Sequence, residues 1–119
     1  MTDTRLFDTA LPNPNGFREI TVGALNDDAL AGVRLVDVRE PDEYVGELGH
    51  LPGAELIPLA TVPQAFAGWD REQTLVLVCR SGGRSGQAAA FLARQGFPRV
   101  INLVGGMMAV QQAGLPVER

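Results

Sequence analysis

The chain has 119 residues, 45% of them hydrophobic and 20% charged, which fits one compact domain and shows none of the bias of a disordered segment. Ten Lys and Arg against fourteen Asp and Glu leave a formal charge of −4, so there is no general electrostatic footprint for a nucleic acid or an anionic membrane, and any anion site has to be local. A single cysteine excludes an intramolecular disulfide or a Cys-x-x-Cys motif, and with one histidine beside it the soft ligands are too few for a standard metal cage; neither a metal nor a cofactor is expected.

Met1-Thr2-Asp3-Thr4-Arg5 opens a mixed stretch without a continuous apolar run. Neither a signal peptide nor a membrane span is expected, and a cytoplasmic protein is the default. Leu11-Pro12-Asn13-Pro14-Asn15-Gly16 favours turns and extended chain over helix. Residues 1–19 therefore read as an irregular lead-in to a domain over 20–119. From there β-like runs alternate with helical stretches. Residues 22–31 form a first crossover, Arg34-Leu35-Val36-Asp37-Val38 a strand, and a short helix opens near Pro41-Asp42-Glu43. Ala54-Glu55-Leu56-Ile57, Leu75-Val76-Leu77-Val78 and Val100-Ile101-Asn102-Leu103 are further strands, with 59–67 and 84–95 as the connections between them. The last of these connections is the best helix: Ala88, Phe91 and Leu92 share one face, and Gly96 followed by Pro98 stops it. Apolar strands alternating with helices predict an α/β fold, a single domain with a mainly parallel central sheet and helices on both faces. In such sheets ligands bind at the carboxyl ends of strands.

Cys79 stands at such an end, in Leu75-Val76-Leu77-Val78-Cys79-Arg80-Ser81-Gly82-Gly83-Arg84-Ser85. Gly82 and Gly83 permit positive φ, so the amides of residues 80–85 can turn inward as an anion-binding nest. The helix that follows adds unpaired amides and the positive end of its dipole. Arg80 and Arg84 add full charges. A thiol in this setting ionises more readily than a free cysteine, and the same nest stabilises a persulfide anion or sulfonate-like oxygens without a histidine or a metal.

The loop from Cys79 to Ser85 resembles the active-site loop of the rhodanese homology domain. The likeness extends to Leu35-Val36-Asp37-Val38-Arg39-Glu40-Pro41-Asp42-Glu43-Tyr44, to Gly49-His50-Leu51-Pro52-Gly53-Ala54, to Asn102-Leu103-Val104-Gly105-Gly106-Met107 and to Gly114-Leu115-Pro116-Val117, in family order over roughly 20–117. It implies a sulfurtransferase that takes sulfane sulfur from a donor such as thiosulfate onto Cys79. The sulfur then passes to a thiophilic acceptor, cyanide or a thiol, by double displacement with ping-pong kinetics. The partners so implied are a small sulfur-containing anion and its acceptor, with a protein sulfur donor or acceptor as a further possibility. A protein-to-protein sulfur relay is thus one alternative. Cysteine phosphatases and arsenate reductases are another, but Arg84 stands five positions after Cys79, one short of the phosphatase spacing, and the smaller ring of amides suits sulfur better than phosphate. Two extra residues between Tyr44 and Gly49, and Val110 where relatives often carry tryptophan, depart from the family pattern.

Cys79 is accordingly the expected nucleophile, and Arg80, Ser81, Gly82, Gly83 and Arg84 the expected substrate-binding loop, with Arg84 either facing substrate or bracing the loop from outside. Ser85 is expected to cap the helix. Asp37, Arg39 and His50 stand behind these: Arg39 is expected to pair with Glu43, and His50 to sit in a turn as a structural residue. Phe66 and Trp69 read as packing.

Overall fold

In the computed structural model, which describes residues 5–119 (of Arg5 the backbone only), the apolar runs lie side by side in one six-stranded sheet. In chain order the elements are α1 (Arg5–Thr9), β1 (Leu11–Pro12), β2 (Arg18–Ile20), α2 (Asp27–Leu30), β3 (Arg34–Asp37), α3 (Pro41–Tyr44), β4 (Glu55–Leu56), α4 (Val62–Ala65), β5 (Leu75–Val78), α5 (Gly83–Arg94), β6 (Val100–Leu103) and α6 (Gly106–Ala113), with short 3-10 turns between some of them. The strand order is β1-β2-β6-β5-β3-β4, and only the edge pair β1–β2 is antiparallel. The expected α/β architecture is the observed one.

Alternation along the strands divides the core into two layers. Val36, Leu75, Leu77 and Val100 meet Val62 of α4 and Ala88, Ala89 and Leu92 of α5 on one face. Leu35, Val76, Val78, Ile101 and Leu103 meet Leu6 of α1 and Met107 and Val110 of α6 on the other. Val110 packs fully into this second layer. β5 is central, and every residue from Leu75 to Cys79 is at most 1% exposed. No helix among the described residues is long and apolar enough to cross a membrane.

The stretch expected as an irregular lead-in is structured from Arg5 onward. The turn residues do make a turn, with the Asn13 amide donating to Phe17 O and the Asn15 amide to Asn13 Oδ1, but the chain on either side pairs as β1 and β2, and β2 joins β6. Burial of Leu6, Ala10, Phe17 and Ile20 outweighs the local preference for irregular chain. Residues 1–4 of that stretch lie outside the described residues.

Candidate active site

β5 delivers Cys79 to the end of the sheet, and the chain reverses within four residues before α5 begins at Gly83. The reversal needs φ of +107° at Gly82, open to glycine at little cost. The expected freedom of Gly83 is not used: it is the first residue of α5, has no positive φ, and a Cβ there would meet open space. The helix begins one residue earlier than the residue pattern suggests and takes Gly83 into its first turn.

The Gly82 amide donates to Cys79 Sγ at 3.0 Å, and the Ser85 hydroxyl lies 3.3 Å from the same sulfur. Burial pushes the Cys79 thiol up, while the Ser85 hydroxyl and the amides of Ser85, Gly82 and Ser81 favour its charged form; the net result lies below the ordinary thiol value. Ser85 does not cap α5. Gly82 holds the N-cap position with no side-chain hydrogen bond, and the Ser85 side chain points back under the loop to Asn102 Oδ1 at 2.6 Å.

The loop rests on two further elements. Met107 and Met108 amides, at the start of α6, donate to Cys79 O at 2.9 Å and Arg80 O at 3.0 Å. Such close approach is possible because Gly106 carries no Cβ; one built there would lie 2.3 Å from Cys79 O. From β6, Asn102 Nδ2 donates to Gly82 O at 3.2 Å. Neither residue was expected at the site: Asn102 was read as part of a strand and of a resemblance, and Gly106 only as part of the resemblance. The signal for Asn102 was there: a polar residue inside the apolar run Val100-Ile101-Asn102-Leu103.

The charged residues pair differently from the expectation. Arg39 does not form an ion pair with Glu43. Its guanidinium donates to both carboxylate oxygens of Asp37, at 2.9 and 2.8 Å, and to the carbonyls of Glu43 and Gly49. Arg39 and Asp37 are both essentially buried, and a buried charge has to be fully partnered, which Asp37 does from within the sheet. The Glu43 carboxylate turns instead to Arg84, in a two-bond pair at 2.7 and 2.8 Å. The Arg84 guanidinium holds Glu43 well below its ordinary value, at about 2, against the upward push of burial. Arg84 thus ties α3 to α5 from outside the loop. Arg80 is exposed and its side chain has no hydrogen-bond or ion-pair partner among the described residues, which leaves it the free cation at the rim. Ser81 is exposed beside it.

A cleft of about 350 Å³ is lined by Arg80 and Arg39, by Met108 and Gln111 of α6, by Asp42 and Glu43 of α3, and by Gly46, Glu47 and Leu48. The extra residues after Tyr44 therefore form part of the rim. His50 is not in a turn as expected: its backbone pairs in an isolated antiparallel bridge with Glu118, while its ring stacks on Tyr44 with centroids 3.6 Å apart and its Nδ1 2.8 Å from Tyr44 O. Trp69 and Phe66 pack edge-on against Phe97.

A strand-end cysteine in a ring of amides is also a pattern that comparison can test. A family model described as a rhodanese-like domain matches residues 22–113. The chain belongs to the rhodanese-like family. A sulfurtransferase of Allochromatium vinosum is 41% identical over 85 residues, 71% of this chain and 78% of that protein. Thiosulfate sulfurtransferase GlpE of Pseudomonas paraeruginosa is 40% identical over 75 residues, 63% of this chain and 66% of its own length. The putative sulfur carrier protein YrkF of Bacillus subtilis is 36% identical over 97 residues, and the chain spans about half of it, 51%. Among solved structures, a rhodanese-related protein from Thermoplasma volcanium superposes with a TM-score of 0.75 at 25% identity, covering 84% of this chain and 96% of that one. Rhodanese-like relatives of this chain are thus named for moving or carrying sulfur.

Proposed function

We propose that this rhodanese-like protein is a sulfurtransferase in which Cys79 carries sulfane sulfur as a persulfide. The observation that supports this best is the sulfur's own environment: a buried strand end with the Gly82 amide at 3.0 Å and the Ser85 hydroxyl at 3.3 Å, and no second cysteine in the chain. In the first step the Cys79 thiolate attacks the outer sulfur of a donor such as thiosulfate. A Cys–S bond forms as the donor's S–S bond breaks, and sulfite leaves with the electron pair. In the second, cyanide or a thiolate attacks the terminal persulfide sulfur, and the Cys79 thiolate is released. Neither step requires a general base, because the attacking group, a thiolate or cyanide, and the leaving sulfur are both anionic. Ring amides stabilise the charge in each state, and Arg80 at the rim meets the oxygens of an anionic donor.

Mass spectrometry of the intact protein tests this. Incubation with thiosulfate should add one sulfur, about 32 Da, which cyanide then removes as thiocyanate; Cys79→Ala should add none. Sulfur gain by Cys79→Ala would remove the nucleophile from its role, and turnover of a phosphate ester or arsenate in place of sulfur gain would favour phosphatase-type chemistry. The likeness to a putative sulfur carrier supports a second reading, in which a protein supplies or receives the sulfur. Slow loading from thiosulfate together with rapid loading from a persulfidated protein would decide for it.

A further inference from the structure

Asn102 is 4% exposed in a strand whose other residues are apolar and buried. The register sets it opposite Leu77, two residues before the nucleophile. Both ends of its amide are used there: Nδ2 donates to Gly82 O at 3.2 Å and Oδ1 accepts from Ser85 Oγ at 2.6 Å. The carbonyl of Gly82 can only accept, so the amide has one sensible orientation; turned over, it would set two acceptors face to face.

The Ser85 hydroxyl therefore has one proton and three acceptors: Asn102 Oδ1 at 2.6 Å, Cys79 Sγ at 3.3 Å and Gly82 O at 3.3 Å. Which acceptor holds the proton depends on the sulfur. A hydrogen bond to an ionised acceptor is roughly twice as strong as one to a neutral acceptor. A neutral thiol leaves the proton on the shorter bond to Asn102; a thiolate draws it across. We infer that Asn102 is a positioning residue for the nucleophile: its carbonyl takes the Ser85 proton while Cys79 Sγ is uncharged and yields it when Sγ is charged, so that the hydroxyl follows the charge. In the persulfide the charge sits on the terminal sulfur and Sγ is neutral again, which returns the proton to Asn102; this half of the cycle rests on the sulfur-transfer reading, and the thiol–thiolate half does not.

The consequence runs against intuition. Asn102 favours the uncharged sulfur, so removal of its carbonyl should make the thiolate form more easily. A loop merely loosened by the loss would hold its amides less well and do the opposite. The test is the pH dependence of thiolate ultraviolet absorbance in wild type, Asn102→Leu, Ser85→Ala and the double variant. The charged groups about Cys79 are Arg80 and Arg84, Glu43 behind Arg84, and the Asp37–Arg39 pair at the end of β3; all are common to the four proteins. Asn102→Leu should move the midpoint down by roughly 0.5 to 1 pH unit, Ser85→Ala should move it up, and the double variant should match Ser85→Ala. An upward shift in Asn102→Leu, or the same shift with and without Ser85, overturns the inference.

Should Asn102→Leu not fold, the carbon-13 signal of the Asn102 side-chain carbonyl carries the measurement. It should track the Cys79 titration in wild type and cease to do so in Ser85→Ala; equal movement in both overturns the inference. Neither measurement transfers sulfur, so failure here leaves the sulfurtransferase reading standing, and failure of persulfide formation leaves the thiolate result standing.

Discussion

Two arginines flank Gly82 and are held differently, Arg80 in the loop and Arg84 in the first turn of α5. Arg84 has its charge taken up by Glu43, whereas Arg80 is exposed and meets no partner among the described residues. A free guanidinium attracts an anion at the rim and contributes little to a neutral reagent's approach. Arg80→Ala should therefore raise KM for thiosulfate several-fold, about 3- to 10-fold for one lost rim interaction, while the rate of Cys79 alkylation by iodoacetamide, a neutral reagent, changes little. Equal losses in the two assays would show that Arg80 shapes the loop rather than recruits the donor. The Ser85 hydroxyl and the amides of Ser85, Gly82 and Ser81 favour the charged form of Cys79, so in the proposed function the amides serve the nucleophile and Arg80 is left to meet the donor.

At the scale of elements, the loop is a joint between β5, α5 and the N-terminus of α6, and its two glycine pairs are unequal. Gly106 combines a φ of +54° with an absent Cβ that would fall 2.3 Å from Cys79 O, while Gly83 is helical and faces open space. Gly106→Ala must push α6 off the loop, at a cost of about 2–4 kcal/mol; Gly83→Ala should stabilise by about 0.5–1 kcal/mol, because it removes unfolded-state freedom inside a helix. Urea midpoints of the two variants check this, and a destabilised Gly83→Ala would mean that its backbone is not helical. β5 and β6 were legible in the sequence to the residue, because each is a four-residue run rich in Val, Leu and Ile, too short for a helix and bounded by turn residues. β2 was not: only Ile20 of its three residues is apolar, and its strand character comes from pairing with β6. In the same way the Cys79 loop was legible as one continuous segment, but its braces were not. The Glu43–Arg84 pair joins positions 41 apart and the Ser85–Asn102 bond positions 17 apart, and both exist only through the register of the sheet. The short sequence spacing from Arg39 to Glu43 suggested a pair that the buried Asp37 pre-empts.

Across the whole molecule, the Glu43–Arg84 pair is a cross-link between α3 and α5, the helix that follows the Cys79 loop, and it makes stability depend on acid. Glu43 titrates at 4.5 as a free side chain and at about 2 in the folded protein, chiefly because of its bonds to Arg84. The folded form thus binds that proton less readily than the unfolded form. The pair's contribution is whole above pH 4.5, shrinks as the pH falls below it, and is gone below about 2. Side chains 27% and 36% exposed are screened by water, so its worth is about 1 kcal/mol rather than the full value implied by the shift. Urea denaturation of wild type and Glu43→Gln at a series of pH values reads it directly. Glu43→Gln should be less stable by about that amount at neutral pH, and the gap between the two curves should close steadily between pH 4.5 and 2 as the wild-type carboxylate protonates. A gap that stays constant across that window would mean that Arg84 is held by packing and that the charge of Glu43 contributes nothing to the brace.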